Sequence, residues 1–363
     1  MNTLAHTSTT TAGPDGVHPH ALPLVITQGD PAGIGPEILL KAVQQRPDLL
    51  PRLLVAGDLP TLRRAAGFLG DGLPPVMLAE VSGCGALDRV PPGCLAVVQA
   101  CSPQPLVPMG IVSGVAGRAA AQAIRWASAA VLGGYASAMV TAPIHKEALA
   151  AAGEPYPGHT EMLQALAAEH HQLAINQMPV RMMLSCPGLR TVLVSIHMPL
   201  REAIACVTQA QVLETLRITA RHFERCGWSS VRIGVAGLNP HAGEGGLFGL
   251  EELEMIAPAV AQARREGIDA SGPHAPDTVF MRARQGGFDV VVAMYHDQGL
   301  IPVKLLGLEH GVNTTLGLPL VRTSPDHGTA FDLAGTGRAS PESLLSAMDA
   351  AIEMTTLQRT QVG

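Results

Sequence analysis

The chain has 363 residues, 47% of them hydrophobic and 15% charged, with a formal net charge of −6. That is enough apolar material for one large α/β unit or two lobes with substantial cores. No lysine–arginine cluster occurs and only 3% of residues are aromatic, which excludes an electrostatic footprint or a stacking surface for nucleic acid.

The first 21 residues, rich in threonine and histidine, lack the charged start and apolar centre of a signal peptide and read as a disordered tail. Leu24 to Thr27 is a first strand, and Gln28-Gly29-Asp30-Pro31-Ala32-Gly33-Ile34-Gly35 leads into a helix from Pro36 to about Gln45. Only two of the three glycines of a dinucleotide fingerprint match this turn. Strands at Leu53–Ala56 and Leu95–Gln99 flank a helix over Thr61–Phe68, and an alanine-rich helix covers Ser113–Leu132. No charge appears from Trp126 to Ile144, but Gly133-Gly134 and Pro143 break the run, so it reads as a helix end and a strand at Ser137–Thr141 rather than a membrane span. Thr160 is expected to cap the helix Met162–Ala168, whose free amides attract anions.

Strands are expected at Val180–Ser185 and Thr191–Ile196, then a helix at Gln209–Cys226 and a strand at Val231–Val235. Helices over Gly249–Glu266 and Thr278–Arg284 precede a strand at Val290–Met294, and Asp277 reads as an N-cap. Val312–Leu316 is strand-like, Arg322–Asp332 is a polar loop, and a helix runs from Pro341 to about Leu357. Strand and helix alternate throughout, which argues for an α/β fold with a mostly parallel sheet covered on both faces. Six cysteines without C-x-x-C spacing read as reduced, buried thiols of a cytoplasmic protein.

Three histidines follow three separate strands: His197 closes TVLVSIH, His241 follows the strand at Val231, and His296 closes DVVVAMYH. Neutral imidazole binds zinc and related divalent ions, and three protein ligands leave a position open for substrate. Asp297 could orient a ligand from behind. His159 with Thr160, Lys304, Asn313 and Arg322 supplies what a small phosphorylated, carboxylated substrate needs: a forked guanidinium, a point charge and neutral donors.

The blocks GDPAGIGPEI (from Gly29), PGHTE (from Pro157), LNPHAGEGGLFG (from Leu238), MYHDQGLIPVK (from Met294), GVNTTLGLP (from Gly311) and RTSPDHGTAFDLAG (from Arg322) resemble 4-hydroxythreonine-4-phosphate dehydrogenase, over about Leu22 to Glu353. The resemblance implies a two-lobed α/β/α fold like isocitrate and isopropylmalate dehydrogenases. Lobe 1 would span 22–150, completed by 320–363, and lobe 2 would span 151–319 with the metal site and dimer interface. It implies a homodimer sharing its active site, with His197 and His241 from one subunit and His296 from the other holding Zn2+, Mg2+ or Co2+. His159, Thr160, Lys304, Asn313 and Arg322 would contact substrate, and NAD(P)+ would lie between the lobes.

The implied reaction, in pyridoxal 5′-phosphate biosynthesis, oxidises 4-phosphooxy-L-threonine at C3 to a β-keto acid that loses CO2, giving 3-amino-2-oxopropyl phosphate. Lys304 and Asp277 are candidates for the proton acceptor. Asp30 stands where some members carry glutamate, and relatives with the same blocks oxidise four-carbon sugar-acid phosphates such as D-erythronate or D-threonate 4-phosphate. A non-catalytic phosphate-binding protein would have no need of the three histidines, and no H-E-x-x-H motif supports a zinc hydrolase.

Overall fold

A computed structural model describes residues 22–70 and 74–360, so the expected N-terminal tail lies outside the described residues. In chain order the elements are β1 (Leu24–Thr27), α1 (Gly35–Gln45), β2 (Leu53–Gly57), α2 (Leu59–Ala66), β3 (Met77–Glu80), β4 (Cys94–Gln99), α3 (Gly114–Leu132), β5 (Ala138–Thr141), α4 (Lys146–Ala151) and α5 (His159–His170). There follow β6 (Arg181–Cys186), β7 (Leu189–Leu193), α6 (Leu200–Cys206), α7 (Gln209–Arg225), β8 (Ile233–Ala236), α8 (Ala257–Arg265), β9 (Ala270–His274), α9 (Pro276–Arg284), β10 (Val290–Ala293), α10 (His296–Gly307), β11 (Val312–Leu316), β12 (Arg322–Pro325) and α11 (Glu342–Thr360).

Among the described residues twelve strands form one sheet in the order β3-β4-β2-β1-β5-β12-β11-β6-β7-β10-β8-β9. Pairing is parallel except in the middle, where β11 runs against both β12 and β6, and β6 against β7. The last strand, β12, returns to lie beside β5.

Strand side chains alternate between two apolar layers, as burial on both faces requires. Leu24 and Ile26 of β1 pack with α1, α2 and α11 on one side, while Val25 packs with α3 and α5 on the other. In the second half, Val290 and Val292 of β10 join α7 and α8, and Val291 and Ala293 join α9 and α10. Gly117 on α3 lets α4 pack against it, because a methyl there would overlap the Ala148 carbonyl. Ser113 caps α3 by accepting from the Ala116 amide at 3.1 Å. The uncharged run from Trp126 to Ile144 is the end of α3 followed by β5, and no described helix is long and apolar enough to cross a membrane.

Three local expectations differ from the structure, and one helix lies where none was expected. Arg322–Pro325 is a strand, because its backbone joins β5 and β11 although its residues are polar. His296–Gly307 is a helix despite Gly299 and Pro302, with Leu300 and Val303 buried against the sheet. Thr160 is not a cap: α5 starts at His159 behind Gly158, and no side chain bonds the cap amides. Asp277 is likewise the second residue of α9, behind Ala275 at the N-cap. Strands β3 and β9 and helix α6 had no clear period in the sequence.

Candidate active site

Strands β7, β10 and β8 are neighbours, and all three run parallel. Their carboxyl ends therefore deliver His197, His296 and the turn bearing His241 to one edge, the usual ligand edge of such a sheet. Two bonds pin the first two strand ends together: Ser195 Oγ donates to the Met294 carbonyl at 2.9 Å, and the Val194 amide donates to the Ala293 carbonyl at 2.9 Å. The rings of His197 and His296 consequently sit with centroids 5.6 Å apart. They line a cleft of about 470 Å³ with Met198, Leu200, Tyr295 and Asp297.

His296 Nδ1 is 2.7 Å from Asp297 Oδ1, which leaves Nε2 for a ligand. Burial, then the nearby Lys146 and His296, push the His197 imidazole below its ordinary pKa, with Glu161 opposing. His197 is thus held in the neutral form that binds metals.

His241 lies one strand further along, in a turn (Pro240–Gly246) whose backbone is left-handed at five successive residues, φ 51° to 80° apart from 43° at Glu244. Three of these, His241, Ala242 and Glu244, are not glycine, and each costs roughly 1–2 kcal/mol in that conformation. The His241 ring packs toward Phe248, with centroids 6.3 Å apart. Among the described residues no three His, Cys, Asp or Glu side chains gather as a metal-binding set. Within one chain the rings that meet are those of His197 and His296, because β7 and β10 are adjacent.

The anion seat is more complete. Arg322 is 3% exposed; its Nε and Nη2 donate to Thr141 Oγ1 at 3.0 and 2.7 Å, and its Nη1 donates to Thr315 Oγ1 at 3.1 Å. Its partners are neutral hydroxyls, so the cation is oriented but not neutralised. Burial lowers its pKa to about 10, with Glu161 opposing. Beside it, the His159 ring is pushed well below the ordinary imidazole value by burial and then by Arg322. His159 Nε2 is shut off from solvent with no hydrogen-bond partner among the described residues. A buried guanidinium next to a neutral imidazole with a free nitrogen suits a phosphate or carboxylate.

Glu161, in the first turn of α5, opposes the lowering of the pKa of both Arg322 and His197. Lys146, the first residue of α4, also acts on the His197 charge and was not singled out from the sequence. A lysine at a helix N-terminus opposes the macrodipole, and that local penalty was the available signal.

Other expected site residues are more peripheral. Lys304 Nζ pairs with Asp326 Oδ2 at 2.9 Å, near the end of β12, and is half exposed. Asn313 sits on β11 between Leu184 and Ser324. Thr160 follows His159 in the first turn of α5, and Asp277 is exposed on α9.

Comparison with known proteins identifies the family. A family model described as pyridoxal phosphate biosynthetic protein PdxA matches residues 50–351. A 4-hydroxythreonine-4-phosphate dehydrogenase from Beijerinckia indica is 51% identical over 332 residues, covering 92% of this chain and 95% of that protein. A D-threonate 4-phosphate dehydrogenase from Pectobacterium atrosepticum is 41% identical over 331 residues, covering 91% and 98%. The crystal structure of a 4-hydroxythreonine-4-phosphate dehydrogenase from Klebsiella pneumoniae superposes with a TM-score of 0.81 at 39% identity, covering 92% of this chain and 100% of that one. With this coverage and identity, the chain belongs to the PdxA family of pyridoxal phosphate biosynthetic proteins.

Proposed function

We propose that the protein is a nicotinamide-dependent dehydrogenase that oxidises 4-phosphooxy-L-threonine at C3 with NAD(P)+, the β-keto acid then losing CO2 to give 3-amino-2-oxopropyl phosphate. The observation that carries this reading is the buried Arg322, bonded only to threonine hydroxyls, beside His159, together with the His197–His296 pair at the strand ends. A phosphorylated hydroxy acid needs both parts: an anion seat, and a polar edge where its alcohol can meet the cofactor.

His197 and His296 suit a divalent cation such as Zn2+, Mg2+ or Co2+: both carry imidazoles, 5.6 Å apart, with His197 held neutral. His241, whose turn ends the adjacent strand, is the third ligand in this reading. Such an ion, when bound, stabilises negative charge on an alcohol or enolate oxygen.

The rest falls to the chain. Arg322 grips an anionic group in a forked geometry, and His159 Nε2 and Thr160 contact the same end of the substrate. Lys304 and Asn313 hold its other end, so that the C3 hydrogen faces the nicotinamide. Of the two candidates for the proton acceptor, Lys304 is the one held in place, with its Nζ 2.9 Å from Asp326 Oδ2. Asp277 is exposed on α9.

In the same reading, 22–150 with 320–363 forms one lobe and 151–319 the other, and two copies share the site. Exposed Met198, Leu200, Leu247, Phe248, Leu250 and Leu253 near the imidazole edge support a second subunit covering that surface. D-threonate or D-erythronate 4-phosphate is the competing substrate, supported by the 41% identity to the Pectobacterium enzyme. The test is reduction of NAD+ and NADP+ followed by absorbance on 4-phosphooxy-L-threonine and on both sugar-acid phosphates, with added Zn2+, Mg2+ or Co2+. The amino substrate is expected to have the highest kcat/KM; no reduced cofactor with any of the three would overturn the assignment.

A further inference from the structure

We propose that Glu252 is a positioning residue whose buried carboxylate holds the left-handed turn Pro240–Gly246 in the shape that presents His241; this rests on the reading of His241 as a metal ligand. Glu252 is 2% exposed and opens a π-helical segment, Glu252–Ile256, a local widening found often at functional sites. Its Oε1 accepts the amides of Leu238 and Asn239, both at 2.7 Å, and its Oε2 accepts Asn239 Nδ2 at 3.0 Å. Three donors thus converge on one carboxylate immediately before Pro240-His241. Asn239 Nδ2 also donates to Glu251 Oε2 at 2.7 Å, which binds the same residue a second time.

The turn carries its own short-range helical bonds, but at a cost in backbone strain. Inside it the Ala242 amide bonds the Asn239 carbonyl at 3.1 Å, and Phe248 bonds Gly243 at 3.2 Å, while three non-glycine residues resist their left-handed backbone. The Glu252 carboxylate adds a clamp from outside the turn. The carboxylate and the turn are in contact: a Cβ on Gly243 would approach Glu252 Oε2 to 2.7 Å, and one on Gly237 would approach Ala242 Cα to 2.9 Å.

A second tie fixes the base of the turn. Gln298 Nε2 donates to the Gly237 carbonyl at 2.8 Å, and Gln298 Oε1 accepts the Met294 amide at 2.7 Å. The strand ends behind His241 and His296 are thereby braced against each other.

Charge and shape are both needed at this position. In Glu252→Gln one oxygen can still take the two amides, but the new NH2 faces Asn239 Nδ2, two donors with no acceptor between them. Loss of one charge-assisted bond predicts a Co2+ dissociation constant raised about tenfold. Ala242→Gly removes part of the turn's strain without touching the clamp, so it should leave the wild-type affinity unchanged or tighter and bring Glu252→Gln back toward it.

The experiment strips the full-length protein with a chelator and titrates Co2+ alone, reading its visible absorption and its competition with a chromophoric chelator. Hydrogen exchange of residues 238–249 is followed without metal. The arms are wild type, His241→Ala, Glu252→Gln, Ala242→Gly and the double variant Ala242→Gly/Glu252→Gln. Expected are a large loss of affinity in His241→Ala, a tenfold loss with faster local exchange in Glu252→Gln, and recovery in the double variant. Unchanged affinity in His241→Ala removes the metal-ligand reading itself. A loss there, with wild-type affinity in Glu252→Gln, leaves that reading standing and overturns the positioning role. A loss in Glu252→Gln that the glycine fails to restore, with exchange raised across the whole chain, assigns Glu252 to general stability and also overturns it. Should Glu252→Gln not fold, Ala242→Gly alone decides: a tenfold weaker Co2+ site refutes the strain account.

Discussion

In Arg322→Met a buried cation gives way to an apolar side chain of similar reach. Burial lowers the guanidinium pKa from its ordinary value to about 10, which disfavours the charged form. At about 1.4 kcal/mol per unit this is roughly 3 kcal/mol of strain relieved by the substitution. Against it stand three hydrogen bonds to Thr141 and Thr315, about 1 kcal/mol each and so roughly 3 kcal/mol lost. Folding stability should therefore change by no more than about 1–2 kcal/mol. Binding has no such compensation: removing the charged partner of a desolvated anion costs about 3–4 kcal/mol, which is a KM raised roughly 10² to 10³-fold. Urea unfolding of the ligand-free protein and steady-state kinetics on the same preparation measure the two effects separately. A stability loss above about 3 kcal/mol together with a KM within tenfold of wild type would show that Arg322 braces the fold and does not bind substrate.

Other substitutions probe separate links. His296→Ala should lower metal-supported turnover at least about 100-fold while the urea midpoint stays within error, measured with added Co2+ or Zn2+; retained turnover would dissociate the imidazole pair from catalysis. Gly117→Ala should destabilise by about 2–4 kcal/mol, because the methyl meets the Ala148 carbonyl and forces α3 and α4 apart; the urea midpoint checks it. His222 has its pKa lowered to about 4, by burial first and then by Arg225. The unfolded chain takes up that proton at about 6.5 and the folded one only near 4, so stability is lost as pH falls through this window, by at most roughly 3 kcal/mol. Stability curves at pH 7.5 and pH 5 should lie closer together in His222→Gln than in wild type, and an equal drop in both would refute the assignment.

Much of the architecture was readable in order along the chain. Val290–Ala293 and Ala138–Thr141 are short β-branched and small-residue runs buried on both faces, and such runs read as strands because burial selects their composition. The helix at Gly114–Leu132 carried its own Ser113 cap. The polar strand Arg322–Pro325 and the glycine- and proline-bearing helix His296–Gly307 did not, because there the surrounding sheet overrides local preference.

For the site, residue types were legible and neighbourhoods were not. Three strand-end histidines, a lysine and an arginine in a charge-poor chain could be singled out from order and chemistry alone, since an imidazole or a guanidinium keeps its chemistry wherever it stands. Which of them meet depends on strand order, and strand order is a long-range property: β7 and β10 are separated by about a hundred residues of chain yet lie side by side, and so His197 found His296. The same holds for Lys146 and Glu161, whose roles come from what the fold places beside them, and for the left-handed backbone at His241, which Glu252 can brace only because the folded chain brings its carboxylate under the turn.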